Sequence, residues 1–366
     1  MGMARLLWIT GRRIDSDLAS STEVGLFNGL KSIGHSVEIH YPGEPIISPD
    51  VGSGLHPSLR DSKIPGFKSY FCSISAIRII RRELSSKKPS VLLIDWRLVP
   101  WLARELSKYP SPWFLIDRGP PAYSGILGKL QWHYWKKSWK IASISASGGM
   151  VVSESHEAIV RPYSGDKIPI CSLSGGVRKE LISSEPRLHS RETLQLVYVG
   201  RLDRNRGILD FFKIIEWADN YGLKLQINVA GDGDESHTFY GDERINHHGV
   251  LTRDGVADLL SKCDVGLLPM PAGKVWKTAS PLKLAEYAAA GLAVIGVDHE
   301  GHRISESSQW IDLGPVDRWW VSGLKRFHKL TPEQWGTVHS YATKAANNIS
   351  FDKIAKKMID FIESID

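Results

Sequence analysis

The sequence predicts an α/β protein of two domains, each built on a parallel β-sheet with helices on both faces. Short apolar runs alternate with helical segments through the first half of the chain, and the alternation starts again after a polar stretch at residues 183–192. This alternation is typical of parallel sheets, because two parallel strands need a long, usually helical crossover between them. The 366 residues, 42% of them hydrophobic, are enough for two buried cores. We predict domains at 1–185 and 186–348, followed by a C-terminal helix at 349–366.

Each element of the first domain follows from a local pattern. The apolar run Leu6–Thr10 predicts a strand, and a helix over 20–33 is expected to end at Gly34 before the strand SVEIH. The Pro-, Gly- and Ser-rich segment 41–66 is expected to be an irregular surface excursion. The remaining patterns predict helices at 73–85 and 100–107, strands at 90–95, 112–117, 149–153 and 168–172, and an amphipathic helix from 351 onward.

The segment SPLKLAEYAAAG, at Ser280–Gly291, is the most informative part of the chain. Ser280 is a favourable N-cap and Pro281 suits the first helical position, so a helix is expected to begin there. The backbone N–H groups of Leu282 and Lys283 then have no partner within the helix, and they lie at its positive end. Such a helix start is suited to an anion, above all a phosphate group. An ordinary capped helix is the alternative.

Two further features add to this expected anion site. Glu286 lies one turn along the same helix face, where a carboxylate could accept hydrogen bonds from the two hydroxyls of a ribose. Upstream, the apolar run LQLVYV predicts a strand that ends at Gly200, and Arg201 and Arg206 follow it in a polar loop. Ligands of open α/β sheets bind at the carboxyl ends of strands, and two guanidinium groups match a pyrophosphate in geometry and charge. Solvated surface arginines are the alternative.

Four motifs follow one another over residues 194–297: GRLDRNRG, INVAGDGDE, HHGVLTRDGVADLLSKCDVGLLP and SPLKLAEYAAAGLAVIG. Their order and spacing resemble the nucleotide-sugar half of retaining GT-B glycosyltransferases of family 4, the glycosyl transferases group 1. The resemblance implies two Rossmann-like, doubly wound domains that face a cleft, with a C-terminal helix that crosses back to the first domain. It also implies that the first domain binds the acceptor and that the second binds the nucleotide sugar.

The resemblance assigns roles to the donor-binding residues. It implies that Arg201 and Arg206 bind the donor diphosphate, that Lys283 and Glu286 bind phosphate and ribose, and that backbone groups hold the base. The full expected donor set is Gly200, Gly249, Val250, Leu251, Ser280, Pro281, Leu282, Lys283 and Glu286. One departure is Thr278, which stands where the family usually has a glutamate that contacts the donor sugar. The identity of that sugar is therefore left open.

Candidate catalytic residues lie at predicted strand ends. Asp117 and Arg118 stand where the family often has a histidine, so Asp117 is expected to hold a sugar hydroxyl or accept a proton, with a structural cap as the alternative. Arg201 and Arg206 complete the expected catalytic set by stabilising the leaving diphosphate. The roles of two other polar groups are left open. Asp95 and Arg97 lie at a predicted strand end, and Arg12, Arg13, Ser20 and Ser21 belong to a loop that contacts acceptor phosphate, contacts the donor or is solvated.

Composition and motif spacing indicate which cofactors, partners and cellular compartment to expect. The acidic loop 231–235 lacks the spacing of a calcium site, so we expect a turn there, no metal, and no cofactor besides the donor substrate. The cysteines Cys72, Cys171 and Cys263 show neither disulfide nor metal spacing, and no apolar run predicts a membrane span, so a reducing cytoplasm is expected. A net charge of +6 without a nucleic-acid motif favours an anionic membrane or a pyrophosphate as partner.

The segment KLQWHYWKKSWK, at Lys129–Lys140, predicts a contact with the membrane surface. On a helix its three tryptophans share one face, with lysines in a stripe beside them, which is the pattern that membrane interfaces favour. The alternative is that the tryptophans pack in the core and the lysines are solvated. The expected membrane residues are Trp132, Trp135, Lys136, Trp139 and Lys140.

The sequence therefore predicts a retaining, metal-independent glycosyltransferase of the hexosyltransferase type. Its expected donor is a nucleoside-diphosphate sugar and its expected acceptor a lipid-linked or membrane-proximal glycan, with the protein cytoplasmic and peripheral at the inner face of the cell membrane. The main alternative is a catalytically inactive GT-B protein that acts as a binding or scaffold protein, because the first glutamate and the histidine of the family are missing. A nucleic-acid-binding protein would need clustered positive charge outside the cleft.

Overall fold

The computed structural model describes residues 4–15, 20–46, 53–62, 64, 66–121, 125–184, 192–273, 282–304 and 307–365. The chain divides into two units. The first unit comprises Met1–Ser174 together with Phe351–Asp366, and the second unit comprises Gly175–Ser350. Both are α/β structures.

The first unit is built on a parallel sheet. Its strands are β1 (Arg5–Ile9), β2 (Ser36–Pro42), β3 (Leu55–Leu59), β4 (Val91–Asp95), β5 (Trp113–Ile116), β6 (Gly148–Val151) and β7 (Ile170–Ser172). The helices of its first segment are α1 (Ser20–Ser32), α2 (Lys68–Leu84), α3 (Val99–Leu106), α4 (Gly125–Ser145) and α5 (Glu154–Ser164). The predicted alternation of strands and helices is therefore confirmed here.

The second unit repeats the plan. Its strands are β8 (Leu194–Val199), β9 (Leu225–Ala230), β10 (Ile245–His247), β11 (Val265–Leu268), β12 (Ala293–Val297) and β13 (Ile311–Gly314). Its helices are α6 (Asp210–Tyr221), α7 (Arg253–Ser261), α8 (Leu282–Ala289), α9 (Val321–Phe327) and α10 (Pro332–Asn348). Its strands read as nearly continuous apolar runs because a parallel sheet is covered on both faces.

The strand order gives each sheet one topological switch point. In the first unit the order is β3-β2-β1-β4-β5-β6-β7, and in the second it is β10-β9-β8-β11-β12-β13. Both contain the doubly wound order 3-2-1-4-5-6, in which ligands bind where the order reverses, at the carboxyl ends of the strands. The switch points are β1 and β4 in the first unit and β8 and β11 in the second. Functional residues are therefore sought at these two places.

The segment 41–66, which the sequence predicts to be irregular, contains the edge strand β3. The sequence LHPSL has little β character and includes Pro57, which sheets tolerate at an edge. Gly54 starts the pairing: it has φ +123°, its carbonyl accepts from Ile39 N at 2.7 Å, and a Cβ there would lie 2.7 Å from the Val37 carbonyl oxygen. The segment therefore becomes strand β3 because it pairs with β2, and not because of its own sequence.

The division between the units falls after Ser174, eleven residues before the predicted boundary at 185, and that prediction is corrected. Residues after the division pack on the second unit. Val177 N donates to Ile349 O at 3.2 Å, and Ser183 N donates to Ala289 O at 2.8 Å. Val177 is also buried in the same apolar core as β8 and α8. The polar stretch at 183–192 therefore follows the start of the second unit and does not separate the units.

The C-terminal helix α11 (Phe351–Glu363) packs against α1 and belongs to the first unit, as the sequence predicts. Two glycines allow the close approach. A Cβ on Gly25 would overlap the Phe351 ring, and a Cβ on Gly29 would lie 2.6 Å from the Phe351 carbonyl oxygen. Ser32 Oγ donates to Asp352 Oδ1 at 3.0 Å beside this contact. The interface is thus specified by one helix face of small residues.

We expect Gly29→Ala to destabilise the first unit by about 1–3 kcal/mol, the usual cost of overpacking, although alanine is the better helix former. Gly336→Ala in α10 is the matched control, because a Cβ at Gly336 meets nothing within 4 Å. The control is expected to gain roughly 0.5–1 kcal/mol from helix propensity alone. Urea unfolding followed by circular dichroism measures both. Equal stabilisation by the two substitutions would contradict the close α1–α11 contact.

Candidate functional site

The loop after β8 is a compact turn at the switch point of the second sheet. Gly200 has φ +146° and its N–H donates to Ala230 O at 2.8 Å. A 3₁₀ turn at Arg204–Arg206 follows and ends at Gly207, which has φ +76°. A Cβ on Gly207 would overlap the carbonyl oxygen of Pro269, just after β11. The loop is therefore pressed between the ends of β8 and β11, and only glycine fits at that contact.

Lys283, in the first turn of α8, reaches back over this loop. Its Nζ lies 5.1 Å from the centre of the Tyr198 ring, and a Cβ on Gly200 would lie 2.6 Å from its Cε. Burial, and then the nearby charge of Arg206, lower the pKa of Lys283 to about 8. The structure thus brings together Lys283 and Arg206, which are 77 positions apart in the sequence. The two positive charges repel each other, and a bound anion would offset that repulsion.

Arg201 follows the same strand but is already engaged. Its Nη2 lies 2.9 Å from Asp203 Oδ1 and its Nε 3.2 Å from Oδ2, in a two-pronged ion pair. The hydrogen bond from Arg201 is the main cause that lowers the pKa of Asp203. The Arg201 side chain is 45% exposed, and Tyr198 Oη donates to its carbonyl oxygen at 2.9 Å. Its role toward a diphosphate stays a prediction, and Asp203 would compete with the ligand.

Glu286 lies one turn after Lys283 on α8, as the sequence predicts. Burial raises its pKa, while Lys283 and Arg253 act in the opposite direction. The helix is fixed to the sheet through Tyr287, whose Oη accepts from Val199 N at 3.2 Å and lies 3.5 Å from Leu267 O. Tyr287 therefore ties α8 to both strands of the switch point. That tie fixes the positions of Lys283 and Glu286 relative to the β8 loop.

The predicted base-binding segment follows β10. Gly231 N donates to Gly249 O at 2.7 Å, so the ends of β9 and β10 are joined at this point. Val250 is exposed, and Leu251 packs partly against the core before Thr252 caps α7. Backbone contacts to a base at Val250 and Leu251 stay a prediction. Two further predicted positions, Ser280 and Pro281, lie outside the described residues, and so does Thr278, the departure from the family pattern.

The acidic loop 231–235 is a turn, as predicted. Asp232 Oδ1 accepts from Ser236 Oγ at 2.7 Å and from Gly233 N at 2.8 Å. These hydrogen bonds lower the pKa of Asp232. In the described part of the chain, no group of three or more His, Cys, Asp or Glu residues is arranged to hold a metal ion.

A second polar cluster lies at the switch point of the first sheet. Thr10, directly after β1, has its Oγ1 3.2 Å from Glu23 Oε1 and 3.4 Å from Asp95 Oδ2, at the end of β4. Arg12 Nε lies 3.9 Å from Glu23 Oε1, and Arg97 Nη1 lies 3.1 Å from Asp95 Oδ1. Asp95 and Arg97 are thus brought together as the sequence suggests. Their partners Thr10 and Glu23 were not expected.

Glu23 is the functional candidate that sequence analysis missed. It is buried, and its Oε2 has no hydrogen-bond partner among the described residues. Burial raises its pKa to about 7, against the opposing effect of Arg12. One signal was available: Glu23 lies on the same helical stripe as Leu26, Phe27 and Leu30, where a carboxylate has no packing reason to be.

The other polar residues predicted near this edge are held by the protein. Arg118 Nη1 donates to Leu173 O at 2.7 Å, and burial lowers the pKa of Arg118 to about 10. Arg13 pairs with Asp15 at 2.7 Å. Arg118 therefore orders the segment after β7, and whether it also meets substrate stays a prediction. The side chains of Ser20 and Ser21 lie outside the described residues.

The structure corrects the prediction that Asp117 is catalytic. Asp117 is fully buried: its Oδ2 accepts from Trp135 Nε1 at 2.6 Å and from Trp139 Nε1 at 2.9 Å, and its Oδ1 accepts from Gly119 N at 3.0 Å. His156 Nε2 lies 3.3 Å from Oδ2. Burial by itself would raise the pKa of Asp117, but the charge and hydrogen bonds of these donors leave it below its ordinary value. Asp117 is a structural acceptor, because the protein itself engages both of its carboxylate oxygens.

The same contacts correct the predicted membrane face. Trp135 and Trp139 are fully buried and bind Asp117, and Trp132 packs against the same core at 5.2 Å from the Trp135 ring. The tryptophan face of α4 is therefore its inner face. Lys136 is half-buried with its Nζ 5.2 Å from the Tyr163 ring, and Lys140 is exposed. Among the described helices, none has the length and apolar character needed to cross a bilayer.

The Glu23 carboxyl group should make stability depend on pH. Its folded-state pKa is raised, from 4.5 to about 7, so its contribution is full below pH 4.5 and is lost as the pH rises through 7. At about 1.4 kcal/mol per pKa unit, the loss is roughly 3 kcal/mol between pH 4.5 and 7.5. Glu23→Gln should remove this slope, measured by urea unfolding across the pH range. A slope that persists in Glu23→Gln would assign it to another group.

Comparison with known proteins agrees with this geometry. Residues 193–311 match the family model Glycosyl transferases group 1. No curated protein sequence matches the chain. Sucrose-phosphate synthase from Thermosynechococcus elongatus is similar in structure, with a TM-score of 0.74 and 14% identity over 99% of each chain. HepE from Anabaena, solved in complex with UDP, has a TM-score of 0.68 and 12% identity, over 98% of this chain and 100% of its own.

A third similar structure is the lipopolysaccharide outer core galactosyltransferase WaaB, with a TM-score of 0.66 and 13% identity, over 98% of this chain and 99% of its own. At such identities a structural likeness shows the fold, and it confirms the predicted GT-B fold. The family match covers the β8 loop, the β9 and β10 turns and α8, which carry the candidate donor site. The chain thus has the GT-B fold, and its residues 193–311 match the glycosyl transferases group 1 model.

Proposed function

We propose that the protein is a retaining glycosyltransferase that moves a sugar from a nucleoside-diphosphate sugar to a lipid-linked or membrane-proximal glycan. The observation that carries the proposal is the pair Lys283 and Arg206 at the switch point of the second sheet. Burial is the main cause that lowers the pKa of Lys283, and the nearby positive charge of Arg206 lowers it further. A diphosphate placed beside them offsets the repulsion between the two positive charges and forms charge-assisted hydrogen bonds.

The rest of the donor is assigned to neighbouring groups. Glu286, one helical turn from Lys283, accepts hydrogen bonds from the ribose hydroxyls in this proposal, and the backbone at Val250 and Leu251 holds the base. HepE, which shares the fold, was solved with UDP, so UDP-sugars are the first donors to test. The donor sugar is left open, since Thr278 stands where a family glutamate would contact it.

The acceptor is assigned to the first unit, where Thr10, Glu23 and Asp95 gather at the switch point. Carboxylates and a hydroxyl are the groups that recognise sugar hydroxyls, and a ligand there would give Glu23 Oε2 a partner. WaaB, by its name, acts on a lipopolysaccharide, which favours a lipid-borne glycan here. We place the protein in the cytoplasm, at the inner face of the cell membrane.

In the proposed reaction, the bond between the anomeric carbon of the donor sugar and the diphosphate oxygen breaks. An acceptor hydroxyl oxygen bonds to the same carbon on the same face, and its proton passes to the leaving diphosphate. Arg206, Lys283 and Arg201 stabilise the negative charge that develops on that group. Three cations supply the charge that a metal supplies elsewhere, so the reaction is proposed to need no metal and no further cofactor.

The test is a panel of UDP-, GDP-, ADP- and dTDP-sugars, measured by thermal shift with and without EDTA. At a hundred times the dissociation constant, the correct nucleotide should raise the melting temperature of the second unit by roughly 5 °C, and EDTA should change nothing. If no nucleotide shifts the melting temperature, the donor site is wrong.

The scaffold alternative is separated from catalysis by product analysis. Incubation of the selected donor with membrane lipid extracts should yield a glycosylated lipid whose anomeric proton coupling matches that of the donor. Nucleotide binding without transfer to any tested glycan, and without slow donor hydrolysis, would favour an inactive binding protein. Inversion of the anomeric configuration would overturn the retaining assignment alone.

A further inference from the structure

The outward face of α4 combines large apolar side chains with lysines. Its inner face is formed by Trp135, Trp139 and small residues that are buried. On the outside, Ile126 and Ile144 are each 86% exposed and Leu130 is 45% exposed. Positions 126, 130, 133, 137, 140 and 144 are three or four apart, so they share one helix face. This stripe, which we call the outer stripe, has isoleucine at both ends and Lys137 and Lys140 in its middle.

The charge of the helix has one sign. Helix α4 contains four lysines, Lys129, Lys136, Lys137 and Lys140, and no aspartate or glutamate in its 21 residues. Two acidic side chains of the neighbouring helices are engaged elsewhere: Glu105 of α3 pairs with Arg81 at 2.9 Å, and Glu157 of α5 pairs with Arg161. Like charges along one helix face repel each other, and an anionic partner would offset that repulsion.

Exposed and half-buried aromatic residues extend this surface across two more helices. The Tyr134 ring of α4 stacks on Trp101 of α3 at 5.6 Å, and Trp101 meets Tyr70 of α2 at 5.3 Å. Tyr70 is exposed, and so is Phe67 just before α2. Leu127 and Leu130 lie on the same side of α4 as Tyr134, by their spacing in the sequence. The surface is therefore broad, apolar and aromatic, beside a row of lysines.

We propose that the outer stripe and its aromatic extension dock the protein on an anionic lipid bilayer. Exposed isoleucine and leucine can enter the acyl boundary, tyrosine and tryptophan suit the headgroup level, and lysines meet anionic headgroups. The choice of lipid over a protein partner rests on the uniform charge: a bilayer offers a continuous anionic plane that matches a lysine row without needing a particular register. The inference rests on the proposed function in one respect: docking would bring the protein to a lipid-borne acceptor.

The test is vesicle flotation with the full chain and without nucleotide. We expect the protein to float with vesicles that contain equal parts phosphatidylcholine and phosphatidylglycerol at low salt, and not with pure phosphatidylcholine. Lys137→Glu with Lys140→Glu should lower the partition coefficient at least roughly 25-fold, at about fivefold for each lost lysine charge. Ile126→Ser with Ile144→Ser should abolish the part of the binding that persists at high salt, because that part is apolar.

The matched control is Lys87→Glu with Lys88→Glu, two exposed lysines outside α4 that change the net charge equally. This control should float like the wild type. A wild-type protein that ignores anionic vesicles, or a control that loses as much binding as the α4 variant, overturns the proposal. Self-association of the wild type that the isoleucine substitutions abolish and the lysine substitutions do not would also overturn the proposal. The surface would then bind a second copy of the chain.

Nucleotide binding, measured on the same variants, should be unchanged, since the donor residues lie in the second unit. If the protein floats with the vesicles but binds no nucleotide, the proposed enzymatic function is wrong and the docking surface is still supported. Melting curves confirm that each variant is folded, and the substituted positions on the stripe are solvent-exposed.

Discussion

Lys283→Met is expected to weaken binding of UDP, or of the nucleotide that the panel selects, by about 30- to 100-fold, equivalent to roughly 2–3 kcal/mol. Methionine keeps an apolar stem over Gly200 and Tyr198, so the change removes the charge with little effect on packing. Arg206→Met should have a similar effect, because both cations face the diphosphate. Isothermal titration calorimetry at neutral pH measures the loss.

The pH dependence separates the charge from other effects. With the pKa of Lys283 near 8, wild-type affinity should fall as the pH rises from 7 to 9, while Lys283→Met should show little change there. Lys213→Met, at an exposed lysine of α6, is the matched control and should bind like the wild type. Unchanged affinity in Lys283→Met would remove α8 from the donor site.

Asp117→Ala is expected to destabilise the first unit by about 3–5 kcal/mol, the cost of leaving buried partners uncompensated. The substitution leaves the indole N–H groups of Trp135 and Trp139 and the backbone N–H of Gly119 without a hydrogen-bond acceptor. It also removes the carboxylate that lies 3.3 Å from Nε2 of the buried His156. Urea unfolding at neutral pH measures the change.

Acid titration gives a second check on Asp117. Because its folded-state pKa lies below 3.8, its contribution is present above pH 3.8 and is lost as the pH falls through the lowered value. The variant should therefore lose less stability in acid than the wild type does. Asp166→Ala, at an exposed aspartate of the same unit, should change stability by less than about 0.5 kcal/mol. Nucleotide binding should survive in both, whereas a catalytic Asp117 would lose activity without loss of stability.

Much of the fold could be predicted because its signals are local. Apolar runs alternate with helical patterns, and parallel strands need helical crossovers, so the chain order alone indicates two doubly wound sheets. The placement of the candidate donor residues could be predicted for the same reason. Arg206 directly follows β8, and Lys283 and Glu286 lie one turn apart on α8, so their placement at one sheet edge follows from the position of each element in a βαβ unit.

Local patterns could not show which residues meet across the chain. The period of α4 predicts a helix, but both of its faces carry large side chains, and only Asp117 of the neighbouring sheet decided that the tryptophans face inward. The place of Glu23 on an apolar helical stripe indicates burial, but its polar partners Thr10 and Asp95 lie 13 and 72 positions away, where no local pattern shows them.

The sequence by itself determined the alternation of elements, the strand ends that carry the candidate site residues and the cationic helix start, because each depends on residues close in the chain. Only the tertiary structure decided that Asp117 is a buried acceptor, that the second unit begins after Ser174 and that α4 shows its isoleucines and lysines to solvent. Each of these depends on burial and on long-range partners, which no local period records.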